Sequence, residues 1–283
     1  MTCLTISSAL ESAVTILAAA GVDNPRIDAR LLLCHTAQIE PATVISDPDK
    51  KLLPEDVRTF EELIERRVRR EPVSHLIGER EFWSLPFKVG PDVLDPRPDS
   101  ETLINAALKL IDNRSREISV LDLGTGSGCL LITMLTELPY ATGVGVDISE
   151  RALSVARINA EANAVSSRAS FLKSSWGELV NERFDLILCN PPYIAISEFE
   201  NLEPEVSQYE PEIALCAGDD GLQKYRELAS EVFRLIVPNG FAVVECGRGQ
   251  LASMVEIFSN EGLQLRERHT DLGGIERCGV FGR

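Results

Sequence analysis

Apolar positions follow two rhythms along this chain. Up to about residue 75 they recur at helical spacing. Leu10, Val14, Leu17 and Ala18 form one stripe, Ser8 and Glu11 stand at capping-box spacing, and Gly21 ends the run. Residues 27–37 and 54–70 repeat the pattern, with Pro54 suited to a first helical turn. Between His75 and Val93, apolar and aromatic residues around Gly78 and Pro86 predict a short hairpin. Arg97-Pro98-Asp99 then turns into a helix over 100–111.

Beyond that point short apolar runs alternate with amphipathic stretches. Strands are predicted over 119–123, 143–147, 169–173, 184–189 and 240–246. Helices are predicted over 129–137, 149–163, 221–236 and 250–260, with a closing antiparallel hairpin around 263–268 and 276–281. Such alternation implies a doubly wound, parallel α/β sheet. Residues 194–220 read as an irregular, acid-rich loop.

Two strand ends carry candidate chemistry. After 119–123 the chain reads Gly124-Thr125-Gly126-Ser127-Gly128, preceded by Asp122. A dinucleotide fingerprint is G-x-G-x-x-G, and Cys129 stands where its third glycine belongs. No lysine of a Walker loop is present, and an acid before the turn suits an ammonium or sulfonium group better than phosphates. Asp147 ends the next strand, where a carboxylate can hold both hydroxyls of a ribose. The two matched ends favour S-adenosylmethionine as the ligand. Asn190-Pro191-Pro192-Tyr193 follows the strand 184–189. Two prolines remove two N–H donors and leave carbonyls that only accept. The Asn190 oxygen and the Pro191 carbonyl can take both hydrogens of a planar –NH₂ group, with Tyr193 as a flat face beside it.

Composition narrows the partners. Net charge is −16 and the pI is near 4.7, against the basic stripe that nucleic-acid binders display. The run Arg66-Arg67-Val68-Arg69-Arg70 follows Glu61, Glu62 and Glu65 and reads as a solvated helix face with i,i+4 pairs. A negative long-range field favours a basic protein partner instead. The seven cysteines (Cys3, Cys34, Cys129, Cys189, Cys216, Cys246, Cys278) are odd in number and lack a C-x-x-C pair, so reduced thiols in a cytoplasmic protein are expected. His35, His75 and His269 form no ligand cluster, and no metal is expected. No apolar run reaches the length of a membrane span, and no signal-peptide pattern opens the chain.

The pairing of residues 122–128 with 190–193 resembles the class I methyltransferases that act on planar amide or amine nitrogens. Arg80-Glu81-Phe82-Trp83-Ser84-Leu85-Pro86-Phe87, Pro96-Arg97-Pro98-Asp99-Ser100-Glu101 and Tyr209-Glu210-Pro211-Glu212-Ile213-Ala214-Leu215 narrow the resemblance to the release factor glutamine methyltransferases (PrmC, also called HemK). That resemblance implies a Rossmann-like sheet with a small helical N-terminal domain. The expected organisation is a substrate-recognition domain over 1–75, a hairpin linker over 76–98 and an S-adenosylmethionine-dependent domain over 99–283. It further implies in-line methyl transfer to the glutamine amide nitrogen of the Gly-Gly-Gln loop in class I peptide chain release factors. A monomer acting on protein, with no direct nucleic-acid or membrane partner, is expected. The alternative is an amino-methyltransferase acting on adenine or guanine in DNA or ribosomal RNA. Asn190, Pro191, Pro192 and Tyr193 would be catalytic, and Gly124, Thr125, Gly126, Ser127, Gly128, Asp147, Trp176 and Asn190 would hold the cofactor. Trp176 is placed against adenine by the resemblance alone. The chain departs from the family pattern at Ser175, where Asp is common, and at Asp95, where an apolar residue is usual.

Overall fold

The computed structural model of the protein describes residues 4–283. Cys3 lies outside the described residues. The chain forms two compact units, one reaching to Gly78 and including Glu203–Tyr209, the other comprising Glu79–Leu202 and Glu210–Arg283.

The first unit is helical, with α1 (Ile6–Ala19), α2 (Pro25–Ala37), α3 (Pro41–Ser46), α4 (Pro54–Val68) and α5 (Val73–Ile77). Ile6, Leu17, Leu32, Leu33, Phe60 and Ile64 build its core. Helix α1 starts a turn earlier than the Ser8–Glu11 spacing predicts. Thr5 is the N-cap, its Oγ1 accepts from Ser8 N, and Ser8 Oγ accepts from Thr5 N. The reason is Ile6, which is wholly buried and needs the helix under it. Helix α5 takes up the start of the stretch expected to form a hairpin. The arginine run also departs from expectation. Arg67 is buried and pairs with Asp28 at 2.8 Å and with Glu205 at 2.8 Å, and Arg70 reaches Glu205 at 2.7 Å. Arg66 pairs with Glu71. A buried guanidinium requires carboxylates that share its burial, and the exposed Glu61, Glu62 and Glu65 cannot serve.

The second unit opens with a hairpin, β1 (Glu79–Phe82) and β2 (Leu85–Lys88). Trp83 and Ser84 turn it at φ +54° and +58°, and the Trp83 indole donates to Glu137 Oε1 at 2.8 Å. There follow α6 (Glu101–Lys109), β3 (Ser119–Leu123), α7 (Cys129–Glu137), β4 (Thr142–Asp147), α8 (Glu150–Ala162), β5 (Ala169–Lys173) and β6 (Phe184–Cys189). The stretch expected as an irregular loop contains α9 (Ile196–Phe199), α10 (Pro204–Tyr209) and a 3₁₀ turn over Glu212–Ala214, of which α10 belongs to the helical unit. These elements are too short to leave a periodic apolar trace, which is why patterning passes over them. The chain ends with α11 (Gln223–Leu235), β7 (Ile236–Glu245), α12 (Leu251–Asn260), β8 (Gln264–Thr270) and β9 (Glu276–Gly282).

Seven strands join in the order β5-β4-β3-β6-β7-β9-β8, parallel except where β9 pairs antiparallel with β7 and β8. Side chains alternate across the sheet. Val120, Leu186, Leu188 and Val243 face α6 and α7, whose Leu103, Ile104, Leu131 and Leu135 complete one core. Leu121, Leu123, Ile187 and Val244 face α11 and α12, whose Leu228, Val232, Met254 and Phe258 complete the other. Both faces are covered, so the central strands β3 and β6 are mostly apolar, broken by Asp122 and Asp185. Strand order reverses between β3 and β6, and ligands of such sheets bind beyond the carboxyl ends at that point.

Candidate active site

The turn after β3 is built to be close to its neighbours. Gly124, Gly126 and Gly128 have φ of +76°, +53° and +82°. A Cβ on Gly128 would stand 2.8 Å from Ile132 Cδ1 and 3.2 Å from Ala156 Cβ, so only glycine lets α7 and α8 meet there. Four N–H donors of the turn are taken up inside the protein. Those of Gly124 and Thr125 both reach Val146 O at 2.8 Å, that of Gly126 reaches Asp147 Oδ2 at 2.9 Å, and that of Gly128 reaches Thr125 O at 2.8 Å. A phosphate cradle needs such donors free. This turn therefore offers close approach while four of its donors are withheld from an anion.

Asp122 is fully buried beneath the turn, and Thr125 Oγ1 donates to its Oδ2 at 2.6 Å. Burial raises its carboxyl to about 7, against the opposing pull of the Thr125 bond. Its side chain is wholly buried and does not line the cavity at which the next acid stands. Asp147 instead stands at the surface of a cavity. Its Oδ2 accepts from Gly126 N and its Oδ1 from Ser149 N, each at 2.9 Å, leaving each oxygen a further lone-pair direction for a ligand. Burial raises its carboxyl, and the bonds from Ser149 and Gly126 oppose that shift.

The same cavity brings together Gly124, Gly126, Asp147, Trp176, Asn190 and Pro192 from the expected set. Thr125, Ser127, Gly128, Pro191 and Tyr193 do not line it. Thr125 and Ser127 are buried behind the turn, and Asn159 Nδ2 donates to the Ser127 carbonyl at 2.8 Å. Pro191 is buried. Tyr193 packs into the second core, its carbonyl accepts from Gln250 Nε2 at 2.9 Å, and its hydroxyl faces Glu245 Oε1 at 3.4 Å. Trp176 takes φ +46°, and its indole donates to Glu227 Oε2 at 3.0 Å, which turns the ring edge toward α11. Ser175 lines the cavity beside it.

Other wall residues escape pattern reading: Val93 and Leu94 before α6, Ile148 after β4, Ile213 and Ala214 beyond α10, and Lys224 with Glu227 on α11. Glu210, next to that Ile213–Ala214 wall, is held by both its oxygens at 2.8 Å from Arg97 Nη2. Burial raises Glu210 to about 7, and the Arg97 charge opposes that. The motifs containing Arg97 and Glu210 were visible in the sequence, but not their pairing.

A doubly wound sheet of this strand order, with a glycine turn after β3 and an acid ending β4, is a class I methyltransferase domain. Family models agree: one described as the PrmC N-terminal domain matches residues 8–78, and one described as a methyltransferase domain matches residues 114–267. A release factor glutamine methyltransferase of Rhodospirillum rubrum is 42% identical over 97% of this chain and 84% of its own length. Another, of Cereibacter sphaeroides, is 43% identical over 96% of each chain. The chain belongs to the release factor glutamine methyltransferase family. Among solved structures, a T. thermophilus 16S rRNA N2 G1207 methyltransferase in complex with AdoMet and guanosine is 18% identical, with a TM-score of 0.51 over 72% of this chain and 50% of its own, a likeness of fold alone.

Proposed function

We propose that this protein methylates the side-chain amide nitrogen of the glutamine in the Gly-Gly-Gln motif of class I peptide chain release factors, with S-adenosylmethionine as donor. One observation carries the reading: Asn190 stands on the cavity wall with its Nδ2 tied to Ser100 Oγ at 3.1 Å, which leaves its carbonyl oxygen as the acceptor for an incoming –NH₂.

The cavity suits the donor. Asp147 offers a carboxylate for a ribose diol, Trp176 an aromatic wall for adenine, and Val146, Ile148 and Ala152 apolar surface. The turn after β3, with four of its N–H donors engaged internally, suits a ligand without phosphates. When bound, S-adenosylmethionine supplies an electrophilic methyl group on a sulfonium. The protein's part is then positioning and charge stabilisation. An amide nitrogen is a poor nucleophile because its lone pair is delocalised into the carbonyl. The acceptor on Asn190 holds an –NH₂ hydrogen and favours a partly pyramidal nitrogen, and it stabilises the positive charge that builds there. Pro191, buried off the cavity, does not reach the substrate. Holding the amide in line contributes on the order of 7–11 kcal/mol. No side-chain base is required before transfer, since the proton leaves afterwards. The helical unit serves to recognise the release factor.

The test is transfer of tritiated methyl from S-adenosylmethionine to purified release factor, with a Gln→Ala loop variant as control. Label in the wild-type factor and none in the variant is expected. Label in DNA or ribosomal RNA instead would overturn the reading.

A further inference from the structure

Asn190 is the end of a buried chain of hydrogen bonds that starts at a carboxylate. Glu245, the last residue of β7, is 1% exposed. Its Oε2 accepts the Ser100 hydroxyl at 2.6 Å, and its Oε1 faces the Tyr193 hydroxyl at 3.4 Å. Ser100 lies in the 3₁₀ turn before α6, is 2% exposed, and meets Asn190 Nδ2 at 3.1 Å.

The polarity of this chain follows from proton counting. An ionised carboxylate only accepts. Ser100 has one proton and gives it to Glu245, so toward Asn190 its oxygen can only accept. The atom of Asn190 that faces Ser100 must then be the –NH₂, and the carbonyl oxygen must face away. Both ends of an amide have nearly the same size, so packing alone would not choose between them. The choice is made by Glu245, two bonds away.

We infer that Glu245 and Ser100 are positioning residues that set which end of the Asn190 amide meets the substrate, and that they thereby select a group that donates hydrogens, a carboxamide, over the isosteric carboxylate. This rests on the role proposed above for Asn190. Replacing Glu245 by glutamine keeps shape but supplies a donor. Ser100 can then receive that hydrogen and give its own to the Asn190 oxygen, which turns –NH₂ toward the substrate. An –NH₂ there repels an incoming amide hydrogen and welcomes a carboxylate.

The experiment uses the full chain at pH 8.5, above the value of about 7 to which burial raises Glu245, so that the carboxylate is ionised. Wild type, Glu245→Gln and Ser100→Ala are compared in binding release factor with its loop glutamine intact and with that residue changed to glutamate. Contacts made elsewhere cancel in the ratio of the two affinities. The wild type is expected to prefer glutamine, and Ser100→Ala is expected to lose roughly tenfold or more of that preference. Glu245→Gln is expected to lose it when its –NH₂ rather than its oxygen faces Ser100, since a donor or acceptor left facing its own kind is what discriminates such isosteres. Methyl transfer should fall with it while affinity for S-adenosylhomocysteine stays within threefold. Should Glu245→Gln fail to fold, Ser100→Ala breaks the same chain without altering a buried charge. An unchanged glutamine preference in folded Ser100→Ala would overturn the inference. Absence of methyl transfer to release factor by the wild type would instead sink the functional reading itself.

Discussion

Replacing Asp147 by asparagine tests the cofactor site with the least change of shape. The carboxylate now accepts two backbone N–H groups, from Gly126 and Ser149, each at 2.9 Å. Asparagine has one acceptor and one donor end, so whichever way it turns, one of these N–H groups faces an –NH₂. The same substitution removes the charge that would accept from a ribose diol. A hydrogen bond to a charged group is worth about 1.5–3 kcal/mol, and at about 1.4 kcal/mol per decade one lost bond weakens binding about 10- to 150-fold. Isothermal titration of S-adenosylhomocysteine into Asp147→Asn should therefore show a dissociation constant raised by that range. Thermal unfolding of the unliganded variant, run in parallel, separates loss of the ligand bond from loss of the turn. A well-folded variant that binds within threefold of wild type would refute the assignment of Asp147.

Three further outcomes are expected. Asn190→Ala should lower methyl transfer to release factor at least about 10²- to 10³-fold, as loss of a charge-stabilising contact does elsewhere. Its affinity for S-adenosylhomocysteine should change less than threefold, and full turnover by that variant would contradict the assigned role. Gly128→Ala forces a side chain into φ +82° and against Ile132 and Ala156, and denaturant unfolding should show a loss of about 2–5 kcal/mol. For Asp122 the folded carboxyl titrates near 7, above its ordinary value of 3.8. The folded state thus keeps a proton that the unfolded state releases, so this group's contribution is full below about pH 4 and is lost as pH rises through 7. Asp122→Asn has no such proton. Its stability relative to wild type should rise between pH 4 and 8, by up to about 4 kcal/mol, and a pH-independent difference in melting curves would count against that account.

Much of this was legible in the chain because it rests on local rules. The strands 119–123, 169–173 and 184–189 are short, mostly apolar segments followed by turn residues, and they stand where the sequence puts them. The candidate positions Asp147 and Asn190 stand out in the sequence because each lies at the carboxyl end of a strand. The turn glycines could be found because positive φ is written into residue type. What escaped depends on partners distant in sequence. The arginine run looked like a solvated face, yet Arg67 meets Asp28 and Glu205. Nor did the sequence show that Asp122 would be wholly buried and bonded to Thr125.

The sequence by itself determined the order of the sheet strands and longer helices, the two strand-end motifs and the family, since these follow from periodicity and residue type over short spans. Only the tertiary structure decided that Glu245, Ser100 and Asn190, separated by as many as 145 positions, share one buried chain of hydrogen bonds. Periodicity marks a face as buried but carries no record of what lies opposite it. The direction in which an amide points is set by whichever donor or acceptor the fold brings alongside.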